Sequence, residues 1–142
     1  KVRRNRRSWK IAKEIASYLS TVSEDDKTAL RTWAKSAKLE DWRDDPIGRI
    51  KGVGLVTFQY LRMMGGVDTV MPDKIVKRVI NEILKKTGYK PVNDDIEFIK
   101  RTEELALACG YRPIELCWMI WLIQPEGKLM RIEKYSKILS KI

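Results

Sequence analysis

The 142 residues carry a formal net charge of +10, are 44% apolar and include no histidine. A chain of this size and apolar content can bury a core without disulfides or metal clips, which excludes a disordered tail. The lack of histidine excludes Ser-His and Cys-His nucleophile systems and every histidine metal site, so any chemistry rests on carboxylates, lysines, hydroxyls or the backbone. Six of the first ten residues are basic (Lys1, Arg3, Arg4, Arg6, Arg7 and Lys10) and none is acidic. Such a basic segment over 1–10 suits a polyanionic partner or a solvated charged end. The chain begins with Lys1 rather than Met, as a fragment would.

In chain order, Ser8 is read as the cap of a first helix to about Ser20, with Trp9, Ile15 and Leu19 among its apolar positions. Ser23 with Asp26 resembles a capping box for a second helix over 24–38. Asp45 and Pro46 form a cap and first-turn pair for a short helix ending at Ile50. A "KGVG" turn follows. A helix then runs from Leu55 to Met64 and stops at Gly65-Gly66. Asp73 opens another, to about Lys86, in which Ile75, Val76, Val79, Ile80, Ile83 and Leu84 make one apolar stripe. Gly88 ends it. Asn93 is read as the cap of a helix over 94–108. Pro113 begins a helix through Ile123 that is apolar nearly all round and so reads as central and buried. A last basic helix is expected over 127–140. No repeat, linker or low-complexity segment interrupts the chain, and one all-α, compact helical domain over 1–142 is the expected fold.

Cys109 and Cys117 have apolar neighbours and read as reduced core thiols, too few for a thiolate metal cluster. No apolar run approaches a membrane span, and no secretory signal is recognised. The expected setting is therefore cytoplasmic or nucleoid-associated and not secreted. Oligomeric state is not legible. Trp118 and Trp121 read as core. Trp9, Trp33 and Trp42 are open to core or base-stacking roles. Gln59 and Tyr60, just beyond the turn, read as surface or packing residues, with reach into a cleft as the other reading.

The residues around the turn carry the functional signal. Glycines 52 and 54 flank Val53, so the backbone can turn sharply with positive φ. The amides after the turn begin a helix and lack intrahelical partners, and the helix dipole adds positive potential there. A phosphate suits such a site. Arg49 and Lys51 add charge. Ile47 and Ile50 before the turn, with Leu55, Phe58 and either Leu61 or Met63 after it, read as two facing apolar surfaces over 45–64. A tripeptide of this kind is by itself usually only a turn.

"IKGVGLVTFQYL" resembles the helix-hairpin-helix DNA-binding motif. That resemblance implies that the amides at Gly52, Val53 and Gly54 hold a DNA phosphate, often with a monovalent cation on the turn's carbonyls. Lys51 stands where proline is common, Thr57 matches a frequent threonine, and Phe58 stands where a small residue is usual. Further on, "PDKIVKRVI" is similar to the acid-bearing segment of the helix-hairpin-helix DNA glycosylase superfamily, the adenine-specific branch in particular. The two stretches together cover about 35 residues. They imply that Asp73 is the catalytic acid of a monofunctional base-excision glycosylase. Lys77 and Arg78 beside it read either as phosphate-holding residues or as a solvated helix face. A carboxylate beside the sugar would stabilise the oxocarbenium-like charge that forms as an extruded base leaves.

Val56 stands where bifunctional members carry a Schiff-base lysine, so no lyase step is expected. Two cysteines cannot supply the iron–sulfur cluster of some members, and no other metal or cofactor is called for. Fewer residues precede the hairpin than in full-length glycosylases, so base preference is not legible. Asp73 also reads as a plain helix N-cap. Three functions remain open on the sequence: a short glycosylase, a non-catalytic DNA-binding module, and a helical interaction domain without nucleic acid.

Overall fold

Six α-helices and their connecting turns account for residues 6–124, the part of the chain that the structure, a computed structural model, describes. No strand occurs among the described residues, and the fold class is all-α as expected. The segments 1–5 and 127–140, including Lys1, Arg3, Arg4 and the expected last basic helix, lie outside the described residues. Where the sequence reads as one domain, the contacts gather into two compact units, Lys1–Met71 and Pro72–Ile142.

In the first unit, α1 (Arg6–Val22) is amphipathic and turns Ile11, Ile15, Tyr18 and Leu19 inward to half-burial. Helix α2 (Asp26–Ser36) packs beside it. Its cap is Asp25, whose carboxylate accepts from the Thr28 N–H at 2.7 Å; Ser23 instead accepts from the N–H of Asp25. The expected Ser23 capping box is thus displaced two residues along. Helix α3 (Leu55–Met64) has the bounds expected from its glycines. Gly65, the C-cap of α3, lies tight against α2, where a Cβ would fall 2.3 Å from the Ala34 Cβ and 2.9 Å from the Leu30 carbonyl oxygen.

The core of this unit is aromatic. Phe58 is fully buried, edge-on to Trp33 at 5.4 Å and tilted against Trp42 at 6.1 Å. This explains the bulky residue where the resembled motif has a small one: Phe58 fills the space between two tryptophans. Trp33 is therefore core, while Trp9 on α1 is 70% exposed.

In the second unit, α4 (Lys74–Lys86) starts on Asp73, whose Oδ1 accepts from the Val76 N–H at 2.8 Å. It ends where Thr87 and Tyr89 donate to carbonyls of the last turn and Gly88 takes φ +83°. Helix α5 (Asp95–Ala108) is capped by Asp94, one residue beyond the expected Asn93. Helix α6 (Pro113–Ile123) starts where expected, with the Glu115 carboxylate accepting from the Arg112 N–H at 3.1 Å, and leaves α5 at 97°. Among the described residues no single helix is long and apolar enough to cross a membrane.

Two expectations fail here. Helix α6 buries one stripe, Pro113, Cys117 and Ile120, while Met119, Leu122 and Ile123 are exposed, so it is not central. Cys117 is buried as expected, but Cys109 is exposed, because it lies at the C-cap of α5 where the chain turns away.

Candidate nucleic-acid interface

Residues 41–50 lead into the turn as a series of turns rather than as an α-helix. The Arg49 N–H donates to the Asp45 carbonyl at 2.9 Å, and the Ile50 N–H to the Ile47 carbonyl at 3.1 Å. One turn of this length cannot repay helix nucleation. Other contacts hold it in place. The Asp45 carboxylate accepts from the Ile47 N–H at 2.8 Å and from the Trp33 indole N–H at 3.1 Å. Gly48 lies against the Trp42 carbonyl, where a Cβ would fall 1.6 Å from the oxygen. The expected first helix of the hairpin is thus replaced by a turn tied to α2, and Ile47 is fully buried within it.

In the "KGVG" segment only the first of the two glycines takes the expected positive φ. Gly52 has φ +103°, in the region that favours glycine. Val53 is buried and its N–H donates to the Ile50 carbonyl at 2.9 Å. Gly54 is the N-cap of α3 in extended conformation, with no side-chain cap. A Cβ at Gly54 would meet nothing within 4 Å, so the approach to the first turn of α3 is open there. The amides of Leu55, Val56 and Thr57 precede the first intrahelical bond, Phe58 N–H to the Gly54 carbonyl at 3.0 Å. Lys51, Gly52 and Gly54 are exposed and Thr57 is half-buried.

A residue that the sequence placed only in a basic segment also reaches this turn. A side chain at Gly52 would meet the Ile11 Cδ1 at 2.7 Å and the Arg7 Nε at 3.6 Å. Arg7 and Ile11 are one helical turn apart on α1 and lie together against the turn. That spacing was visible in the sequence; its target was not. Arg49 pairs with Asp44 at 3.4 Å, both exposed.

Gln59, read as a surface or packing residue, is fully buried. Its Nε2 donates to the Thr69 hydroxyl at 2.8 Å and to the Val70 carbonyl at 2.9 Å, and its Oε1 accepts from Arg62 at 2.7 Å. It fastens the segment after α3 back onto that helix and does not face a cleft.

In the second unit, Asp73 is half-buried, and its Oδ1 is the N-cap acceptor of α4. No further hydrogen bond or ion pair involves its carboxylate among the described residues. Lys77, expected on a phosphate, is held inside the unit. Its Nζ lies 2.6 Å from Asp95 Oδ1 and 2.9 Å from the Asn93 carbonyl, and sits over the Phe98 ring at 5.8 Å. Arg78 is exposed and donates to Gln124 at 3.3 Å. No group of three or more His, Cys, Asp or Glu side chains that could hold a metal occurs among the described residues.

A family profile matches residues 7–125, from α1 through α6. The chain belongs to the family described as a domain of unknown function, DUF8548. No curated protein and no solved structure matches the chain. The match spans both units, so the hairpin-like turn and Asp73 both fall inside the family's extent.

Proposed function

We propose that this chain binds DNA through the phosphate backbone, using the 51–54 turn and the first amides of α3. The open, uncapped start of α3 at Gly54 is the observation that carries the reading. Unpartnered N–H groups and the helix dipole attract an anion there. Exposed Lys51, and Arg7 across Gly52, add positive charge within reach. Among the described residues the carbonyls of Lys51, Gly52 and Val53 accept no backbone hydrogen bond, which suits them to the monovalent cation that the motif resemblance implies. Such a cation would supply charge only.

The second reading adds chemistry: a monofunctional DNA glycosylase with Asp73 as the acid beside the sugar. It is supported by the half-buried carboxylate, held rigid by its cap bond and not otherwise engaged. The engagement of Lys77 with Asp95 favours the non-catalytic module instead, because it takes one expected phosphate ligand away from DNA.

Fluorescence anisotropy with a labelled duplex tests binding. Affinity should fall steeply with salt, by about 0.9 in log K per log salt for each phosphate neutralised. Lys51→Glu should weaken binding and flatten that slope. Equal affinity for wild type and Lys51→Glu would reject the turn as the contact. For the second reading, duplexes bearing uracil, oxidised guanine, alkylated purines or mismatches are incubated with the protein and treated with alkali. Strand breaks that vanish in Asp73→Asn support catalysis, since Asn keeps the cap and removes the charge. Breaks that persist in that variant exclude Asp73 as the acid, and no breaks on any lesion leave the binding module.

A further inference from the structure

The second unit, which does not include the 51–54 turn, contains a groove of about 800 Å³ between α4, α5 and the 89–94 loop that joins them. Its walls are fastened. Asn81 on α4 donates to the Val92 carbonyl at 3.0 Å and accepts from the Val92 N–H at 2.9 Å. Lys77 holds the neighbouring Asn93 carbonyl. A loop clamped in this way is a preformed wall and does not have to be ordered by a ligand.

The apolar part of the lining comes from Ile80 and Leu84 of α4, Val92 of the loop, and Phe98 and Leu105 of α5. Thr102 also lines it, is 1% exposed, and its Oγ1 is buried with no hydrogen-bond partner among the described residues. That hydroxyl is out of place in an apolar floor. A helical threonine ordinarily returns its hydroxyl to a carbonyl three or four residues back, and an unmade buried bond is unfavourable. Threonine keeps two side-chain wells open in helices, so rotation about χ1 can turn the hydroxyl towards the groove. Lys90, Asp94, Glu97, Arg101 and Glu104 also line the groove, a mixed set with no strong preference for a charged ligand.

We infer that this groove binds an uncharged, largely apolar small molecule carrying one hydroxyl or carbonyl oxygen, which pairs with the Thr102 hydroxyl. The volume lies within the range of small-molecule sites, roughly 300–1,000 Å³, and a mainly apolar lining with a few polar groups is their usual construction. The apolar body packs against Leu84, Phe98 and Leu105. The oxygen fixes its orientation. This site is independent of the DNA-binding reading and stands or falls separately.

The test uses the full chain, 15N-labelled, titrated with 2-naphthol and with naphthalene. These probes share one apolar body and differ by one hydroxyl. Amide shifts at Leu84, Val92, Thr102 and Leu105 should saturate with both, and 2-naphthol should bind about fivefold tighter, the worth of one hydrogen bond. Thr102→Val keeps the side-chain shape and should erase that difference while naphthalene binding persists. Leu84→Trp fills the groove and should abolish both. Three results would overturn the inference: no groove shifts with either probe, a preference for 2-naphthol that survives Thr102→Val, or NOE contacts in the ligand-free protein showing the groove filled by residues 127–140 or by a second copy.

Discussion

The sharpest test of the DNA-binding reading is Gly54→Asp, because its effects on stability and on binding have opposite signs. Gly54 is already the N-cap of α3, with φ −108° and ψ 174°, a backbone that any residue adopts. A side chain there meets nothing within 4 Å, so aspartate enters without a clash. Its carboxylate can accept from the Val56 or Thr57 N–H, as the carboxylates of Asp25, Asp73 and Asp94 do on their own helices. Replacing a glycine cap gains a few tenths of a kcal/mol, and a negative charge at a helix start adds ~0.3–1, so α3 should be stabilised by about 0.5–1 kcal/mol. The same carboxylate occupies the amides offered to phosphate and repels it. Losing a charge-assisted bond of ~1.5–3 kcal/mol weakens binding by about 10- to 150-fold. The salt slope should fall by about 0.9 for the lost phosphate. Urea unfolding followed by Trp33 and Trp42 fluorescence reads the first effect, and anisotropy over a salt series reads the second. Unchanged DNA affinity with an unchanged slope would refute the phosphate site. A fall in stability would refute the open helix start from which the site is argued.

Two further substitutions examine the scaffold. Gln59→Leu removes both donors from the Thr69 hydroxyl and the Val70 carbonyl in a fully buried place, and should lower stability by about 2–4 kcal/mol; a loss below 1 kcal/mol in urea titration would mean that the 67–71 segment is held by something else. Tyr18 has its pKa raised above 10.0 by burial and, secondarily, by the Asp45 charge. The unfolded chain therefore ionises this phenol first, and the contribution is intact below about pH 10 and is lost as pH rises through the folded value. Tyr18→Phe should flatten the alkaline fall in the urea midpoint between pH 9 and 11, and parallel curves for the two proteins would contradict the assignment.

Local punctuation made much of the helical framework legible. The bounds of α3 and α6 follow from Gly54, Gly65 and Pro113, whose backbone effects act on their own neighbours. Caps were harder where two capable side chains adjoin, as with Asn93 beside Asp94, because backbone dihedrals and not residue type choose between them. The run from Pro46 to Ile50 has helical spacing at Ile47 and Ile50, yet Trp33 takes hold of Asp45 from another helix and the segment stays a turn. Lys77 read as a solvated or phosphate-facing residue because its partners, Asn93 and Asp95, lie 16 and 18 residues further on.

This contrast separates the two halves of the functional reading. The phosphate-binding half depends on the backbone: a positive φ at Gly52, an uncovered cap at Gly54, and the polarity of a helix that begins there. These follow from glycine and from helix geometry, so distant packing leaves them standing even though the preceding helix is only a turn. The catalytic half depends on side chains whose surroundings decide their work. Of the three residues assigned to the acid-bearing segment, Lys77 is drawn into a bridge within its unit, Arg78 reaches Gln124, and Asp73 serves α4 as its cap. An aspartate can cap a helix and stabilise a cation in the same conformation, because the cap bond engages one oxygen and leaves the charge in place. The substitution that separates these duties is therefore Asp73→Asn and not Asp73→Ala, since only the former removes the charge while α4 keeps its start.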